Sequence, residues 1–138
     1  MENPPPRQSS IGLDQNIAAA LSYIWIIGLV FFFIEKENKF IRFHAMQSVL
    51  YAILWTVVIV ALFIVSIVVN IVGGVAAAAA GSAGGLIGIV LWLISLVVWL
   101  VIPLIYLGGL IFSAVKAYQG SYFKLPIIGN LAESIANK

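Results

Sequence analysis

The chain has 138 residues, of which 63% are hydrophobic and only 9% charged, against roughly 45–50% apolar and about 25% charged in soluble domains. A soluble domain this small needs a mostly polar skin, and seven Lys and Arg with five Asp and Glu cannot supply one. The composition predicts an all-α integral membrane protein and excludes both a soluble globule and a disordered chain. Cys is absent, which removes disulfides and thiol-based metal or redox chemistry.

Residues 1–13 carry Pro4, Pro5 and Pro6 and show no apolar period. They predict a flexible arm ahead of a single membrane domain, 14–138. Between Asp14 and Glu35 lie twenty residues without a formal charge, about 30 Å of helix and the thickness of a hydrocarbon core. With Asp14 as N-cap, a first transmembrane helix is predicted over 15–34. Basic residues follow this stretch and no small-residue cleavage site comes after it, so it does not read as a cleaved signal peptide.

The next uncharged stretch, 43–115, is too long for one span. Its middle is a Gly- and Ala-rich tract, 73–85. Glycine weakens a helix by about 1 kcal/mol relative to alanine, so the pairs Gly73-Gly74 and Gly84-Gly85 are the expected breaks. Two further spans follow, 43–72 and 86–117. Pro103 sits inside the last, either as a kink or as the divider of two short spans, which would make four. Charge placement favours three. Lys36, Lys39, Arg42, Lys116, Lys124 and Lys138 then share one side and Arg7 alone opposes them, an asymmetry that four spans would erase. Because Lys and Arg near span ends favour the cytoplasm, the N-terminus is expected outside and the C-terminus inside.

The connection from Glu35 to Gln47 is the most informative. Phe40, Phe43, His44, Gln47 and Tyr51 recur at helical spacing, half aromatic and half polar, with Arg42 off the stripe. One reading is an interfacial ramp, with Phe40 and Phe43 among the headgroups and Arg42 on lipid phosphates. The other turns His44 and Gln47 inward to a polar site, because neither group is needed for anchoring and both are costly against lipid. Further along, Lys116 to Gly120 reads as a helix end. Tyr118, Tyr122 and Phe123 beside Lys116 and Lys124 suit an aromatic and basic belt at the cytoplasmic headgroups. Pro126 is expected to open a short C-terminal interfacial helix with Ile127, Ile128, Leu131 and Ile135 on one face. The candidate interaction and lipid-facing patch is therefore Phe40, Arg42, Phe43, His44, Gln47, Lys116, Tyr118 and Lys124.

Catalysis needs acids, bases or metal ligands grouped in space. His44 is the only His, and no carboxylate lies within a predicted span. The expectation is no enzyme, no cofactor, no metal site and, without a basic patch, no nucleic-acid partner. Within the spans, Gly81 with Gly85, Gly84 with Gly88, and the series Gly109, Ser113, Ala117 place small residues four apart, a spacing that lets helices approach closely in lipid. Asn70 and Ser66 are candidates for an interhelical hydrogen bond, and Trp25 and Trp99 fall near span centres.

The segments Gly12 to Tyr23 and Glu35 to Ser48, with the Phe-x-Arg-Phe-His-Ala-x-Gln-Ser core at 40–48, and the run from Lys116 to Gly129 resemble the Tic-twenty-like family. These are small prokaryotic multi-pass membrane proteins of unknown function, distantly similar to a subunit of the chloroplast inner-envelope translocon. The resemblance covers about residues 11–133, with the tract 73–85 as a local insertion. It implies an all-helical multi-pass protein of a prokaryotic cell membrane and, by remote analogy, a translocon-like role. Two functions follow as expectations. One is an interaction or assembly subunit touching anionic headgroups and a membrane-protein partner or a second copy. The other is a small oligomeric channel or carrier.

Overall fold

In a computed structural model of the chain, residues 7–138 are described, and Pro4 to Pro6 of the predicted arm lie outside the described residues. Every regular element among them is helical: α1 (Gln15–Leu21), α2 (Trp25–Ile34), α3 (Lys39–Ala79), a 3-10 turn (Gly81–Ala83), α4 (Gly84–Tyr118) and α5 (Gly129–Ala136). Two of these, α3 and α4, are long and apolar enough to cross a membrane. The chain forms two compact units, one comprising the N-terminal part to Leu54 together with Leu107–Lys138, the other Trp55–Tyr106.

In the first unit, the opening turns of α3 are the hub. Ile41 and Ala45 pack with Ala18 of α1 and Phe31 of α2. Phe40 packs with Ala19, Tyr23 and Ala117, and Phe43 and Met46 meet Ala132 and Ala136 of α5. Successive residues of one helix point about 100° apart, so a short run of α3 touches every other element of its unit. The small stripe predicted at Gly109, Ser113 and Ala117 works here. Ser113 and Ala117 are fully buried, and a side chain at Gly109 would overlap the Tyr51 hydroxyl. Helix α4 ends where expected, with Gly120 in the left-handed region (φ 74°) and the amides of Gly120 and Ser121 closing onto the carbonyls of Ala117 and Lys116.

The first predicted span needs correction, since 15–34 is not one helix. It divides at Ser22, Tyr23 and Ile24 into α1 and α2, of seven and ten residues, roughly 10 and 15 Å long. The reason is a close approach. Gly28 lies so near the Ser22 carbonyl and the Ser48 hydroxyl that a Cβ there would overlap both, so α2 folds back against the end of α1 and against α3. The irregular backbone stays satisfied: Tyr23 and Ile24 donate to the carbonyls of Ala20 and Leu21, and Ser22 and Tyr23 are buried. Non-helical backbone is tolerated near lipid only under such cover.

At its other boundary, α3 begins at Lys39, ahead of the predicted 43. The Asn38 side chain accepts from the amides of Phe40 and Ile41 and so caps it. The C-terminal helix also differs: it starts at Gly129, and its inward face carries Ile128, Ala132 and Ala136, while Ile127 and Leu131 are exposed.

The second unit is an antiparallel hairpin of the distal part of α3 and the proximal part of α4. Trp55 faces Tyr106 at a ring separation of 5.6 Å and Phe63 faces Trp99 at 6.5 Å. Gly73 meets Leu91, and Gly84 meets the Ala77 backbone. The Gly73-Gly74 pair does not end α3, which runs on to Ala79. The alanines that follow are the strongest helix formers, and the bare Gly73 admits the Leu91 side chain. The chain turns at Gly81, which takes φ 58°. Pro103 lies inside a continuous α4, so the four-span alternative is not realised. Among the described residues Asn70 makes no interhelical bond. Its amide donates to the Ser66 carbonyl of its own helix at 2.7 Å.

Candidate functional site

The polar side chains of α3 converge on the segment after α4. The Gln47 amide donates to the Phe123 carbonyl (3.0 Å) and accepts from the Leu125 amide (3.0 Å), and these two backbone groups fix which end of the carboxamide is which. Its second N–H donates to the Tyr23 hydroxyl at 2.7 Å. That hydroxyl then donates to Nδ1 of His44 (3.1 Å), which leaves Nε2–H to donate to the Ser121 carbonyl at 3.1 Å. The network assigns His44 as the neutral Nε2–H tautomer. Phe40, Phe43 and Tyr122 pack around its ring, with Phe40 4.7 Å and Phe43 4.9 Å from it between centroids. His44 and Gln47 are fully buried.

A second polar joint closes the α1–α2 segment. The buried Glu35 carboxylate accepts from the Ser10 amide at 2.7 Å and from the Asn38 amide at 3.3 Å. The Asn38 side chain donates to Gln15 at 3.1 Å. Ser10, ahead of the apolar run, and Gln15, its first residue, are thus hydrogen-bonded to residues 35 and 38 after it.

The predicted patch divides. His44 and Gln47 are buried inside the first unit, and Phe40 and Phe43, expected among the headgroups, are instead covered by protein beside them. Arg42 is half-buried, with its guanidinium 5.4 Å from the centre of the Phe32 ring and an Nε that has no hydrogen-bond partner among the described residues. Lys116 sits 5.6 Å over the Phe112 ring, Tyr118 is exposed, and Lys124 pairs with Glu133. Burial and the nearby Glu133 carboxylate both push the Tyr122 phenol above its usual range. Tyr23, Gln15, Asn38 and Glu35 escaped the sequence reading as partners. A hydroxyl inside an apolar run at Tyr23 was the one visible signal.

Comparison with known proteins places these residues in a family context. A family model described as the magnetosome magnetite crystal formation protein family, MamF and MmsF, matches residues 13–132. A UPF0132 membrane protein of Methanocaldococcus jannaschii is 34% identical over 129 residues, covering 91% of this chain and 92% of its own length. A second from the same organism is 33% identical, covering 92% and 74% respectively. One from Archaeoglobus fulgidus is 33% identical over 127 residues, covering 88% and 94%. No solved structure matches. The resemblance to the Tic-twenty-like family is thereby corrected: apart from Gly12, the motifs at 12–23, 35–48 and 116–129 fall within the segment that fits the MamF and MmsF family, and the translocon analogy goes with it.

Proposed function

The chain belongs to the MamF and MmsF family of membrane proteins, and from that premise we propose a non-catalytic membrane assembly protein that crosses the bilayer twice. The hairpin Trp55–Tyr106 is the crossing element, and the remainder presents an interaction surface on the cytoplasmic side. The family's description concerns magnetite crystal formation; membrane residence follows from the archaeal relatives, which are named only as membrane proteins, and from the length and apolarity of α3 and α4.

The carrying observation is the joint between Ser10 and Glu35, backed by Gln15 and Asn38. A segment whose two ends are hydrogen-bonded to each other returns to the side it left. The pair α1–α2 is then a re-entrant hairpin, and the N-terminus lies with the C-terminus instead of opposite it. Two further facts support this. Each arm of the hairpin 55–106 is about 35 Å long, enough for a hydrocarbon core with some tilt, and Trp55 and Tyr106 pair at its open end as interfacial aromatics do. All twelve charged residues lie outside 55–106, so two crossings put every Lys and Arg on one side, a stronger asymmetry than three spans give. Arg42, Lys116 and Lys124 then suit anionic headgroups.

The chain has no Cys, so single cysteines at Gln8, Ser82 and Asn137 report topology directly. In intact cells a membrane-impermeant thiol reagent should label Ser82→Cys alone, with Gln8→Cys and Asn137→Cys reacting after permeabilisation. Labelling of Gln8→Cys from outside would restore the three-span arrangement.

A further inference from the structure

The hairpin 55–106 carries polar groups at a depth where lipid offers them no partner. Asn70 lies about ten residues before the turn, roughly 15 Å along the helix and so near the middle of a core about 30 Å thick. It is exposed. One N–H donates to the Ser66 carbonyl, while its carbonyl oxygen and second N–H have no partner among the described residues. The indole N–H of Trp99, across the hairpin, has none either. Phe63, Ser66, Ile67, Asn70, Ile71 and Trp99 line one groove, and Trp99 continues it past Ser95 on α4. Acyl chains neither donate nor accept, so each open polar group at this depth is costly.

We propose that this groove is the interface for a second copy of the chain, paired through Asn70. The choice of occupant follows from the chemistry of the carboxamide. It carries donor and acceptor together, so across a two-fold axis each Asn70 donates to the other's carbonyl oxygen, and one residue satisfies both copies. Ile67 and Ile71 pack beside the pair, and Trp99 closes the groove from α4. A different partner would have to place a polar group of its own at the same depth. The inference rests on the two-crossing reading, which sets Asn70 at the bilayer centre.

The test uses full-length protein in phosphatidylcholine and phosphatidylglycerol vesicles at a fixed protein-to-lipid ratio. A single cysteine is placed in the groove, Ile67→Cys, or on the opposite exposed face of α3, Val65→Cys. On oxidation, Ile67→Cys should give a covalent dimer and Val65→Cys should not. Adding Asn70→Leu to Ile67→Cys should lower the dimer yield about tenfold, with helix content by circular dichroism unchanged. Asn70→Gln, which keeps the carboxamide, should retain dimer. No dimer from Ile67→Cys, equal dimer from both faces, or an undiminished yield with Asn70→Leu would each overturn the proposal. The comparison of faces uses chains with Asn70 intact, so it decides the matter even where Asn70→Leu fails to fold. Labelling at Gln8 and Ser82 reads topology independently, which separates failure of the interface from failure of the two-crossing arrangement.

Discussion

Replacing Gln47 with Leu is expected to cost roughly 3 kcal/mol of stability, the largest effect of any single side chain outside the apolar core. Leu fills much the same volume but leaves two groups without partners, the Phe123 carbonyl and the Leu125 amide, and takes one donor from the Tyr23 hydroxyl, which keeps His44. Each unsatisfied buried group costs about 1–3 kcal/mol. The lower end applies here, because Phe123 and Leu125 are only half-buried. His44→Leu should act in the same direction through the Ser121 carbonyl and the Tyr23 hydroxyl. The Lys36→Gln and Lys39→Gln pair, on exposed residues, should stay within about 0.5 kcal/mol of the parent. Unfolding midpoints in detergent give the ranking, and hydrogen exchange at the Leu125 amide gives the local readout. A silent Gln47→Leu with unchanged protection at Leu125 would mean that the segment after α4 is held by other contacts.

The same substitution at two glycines should have opposite signs. Gly28→Ala puts a methyl group into the Ser22 carbonyl and the Ser48 hydroxyl. The carbonyl is backbone and cannot turn aside, so α2 must move. Overpacking of this kind costs about 1–3 kcal/mol, more than the gain of about 1 kcal/mol in helix propensity. At Gly88 a Cβ meets nothing within 4 Å, so Gly88→Ala keeps the propensity gain and should raise stability by up to about 1 kcal/mol. Thermal unfolding followed by circular dichroism compares the two. A neutral or stabilising Gly28→Ala would show that α2 does not pack so closely against α1 and α3.

Much of the helical architecture was legible because it depends on local chemistry. Apolar length marks α3 and α4, Gly120 with Lys116 marks the end of α4, and the spacing of His44 and Gln47 marks a face that turns to protein. What escaped detection depends on partners far along the chain. The break at Ser22 to Ile24 is set by Gly28 against Ser48 and by a Tyr23 hydroxyl whose partners lie 21 and 24 residues away. A hydropathy window registers only twenty uncharged residues there. The Gly73-Gly74 pair misled for the opposite reason: a local penalty of about 1 kcal/mol per glycine was outweighed by neighbouring alanines and by the room Gly73 gives Leu91. The candidate patch mixed two populations, buried network residues and surface cations, because sequence spacing cannot distinguish a Phe43 inside the unit from a Tyr118 at its surface.

The most direct measurement is the distance between spin labels at Ser10→Cys and Glu37→Cys, on either side of the first apolar segment, with the protein in vesicles. If the segment leaves and returns to one side, the labels should lie within about 20 Å of each other, linkers included. A separation of about 30 Å or more, the thickness of the hydrocarbon core, would mean that 15–34 crosses the bilayer and would contradict the two-crossing arrangement.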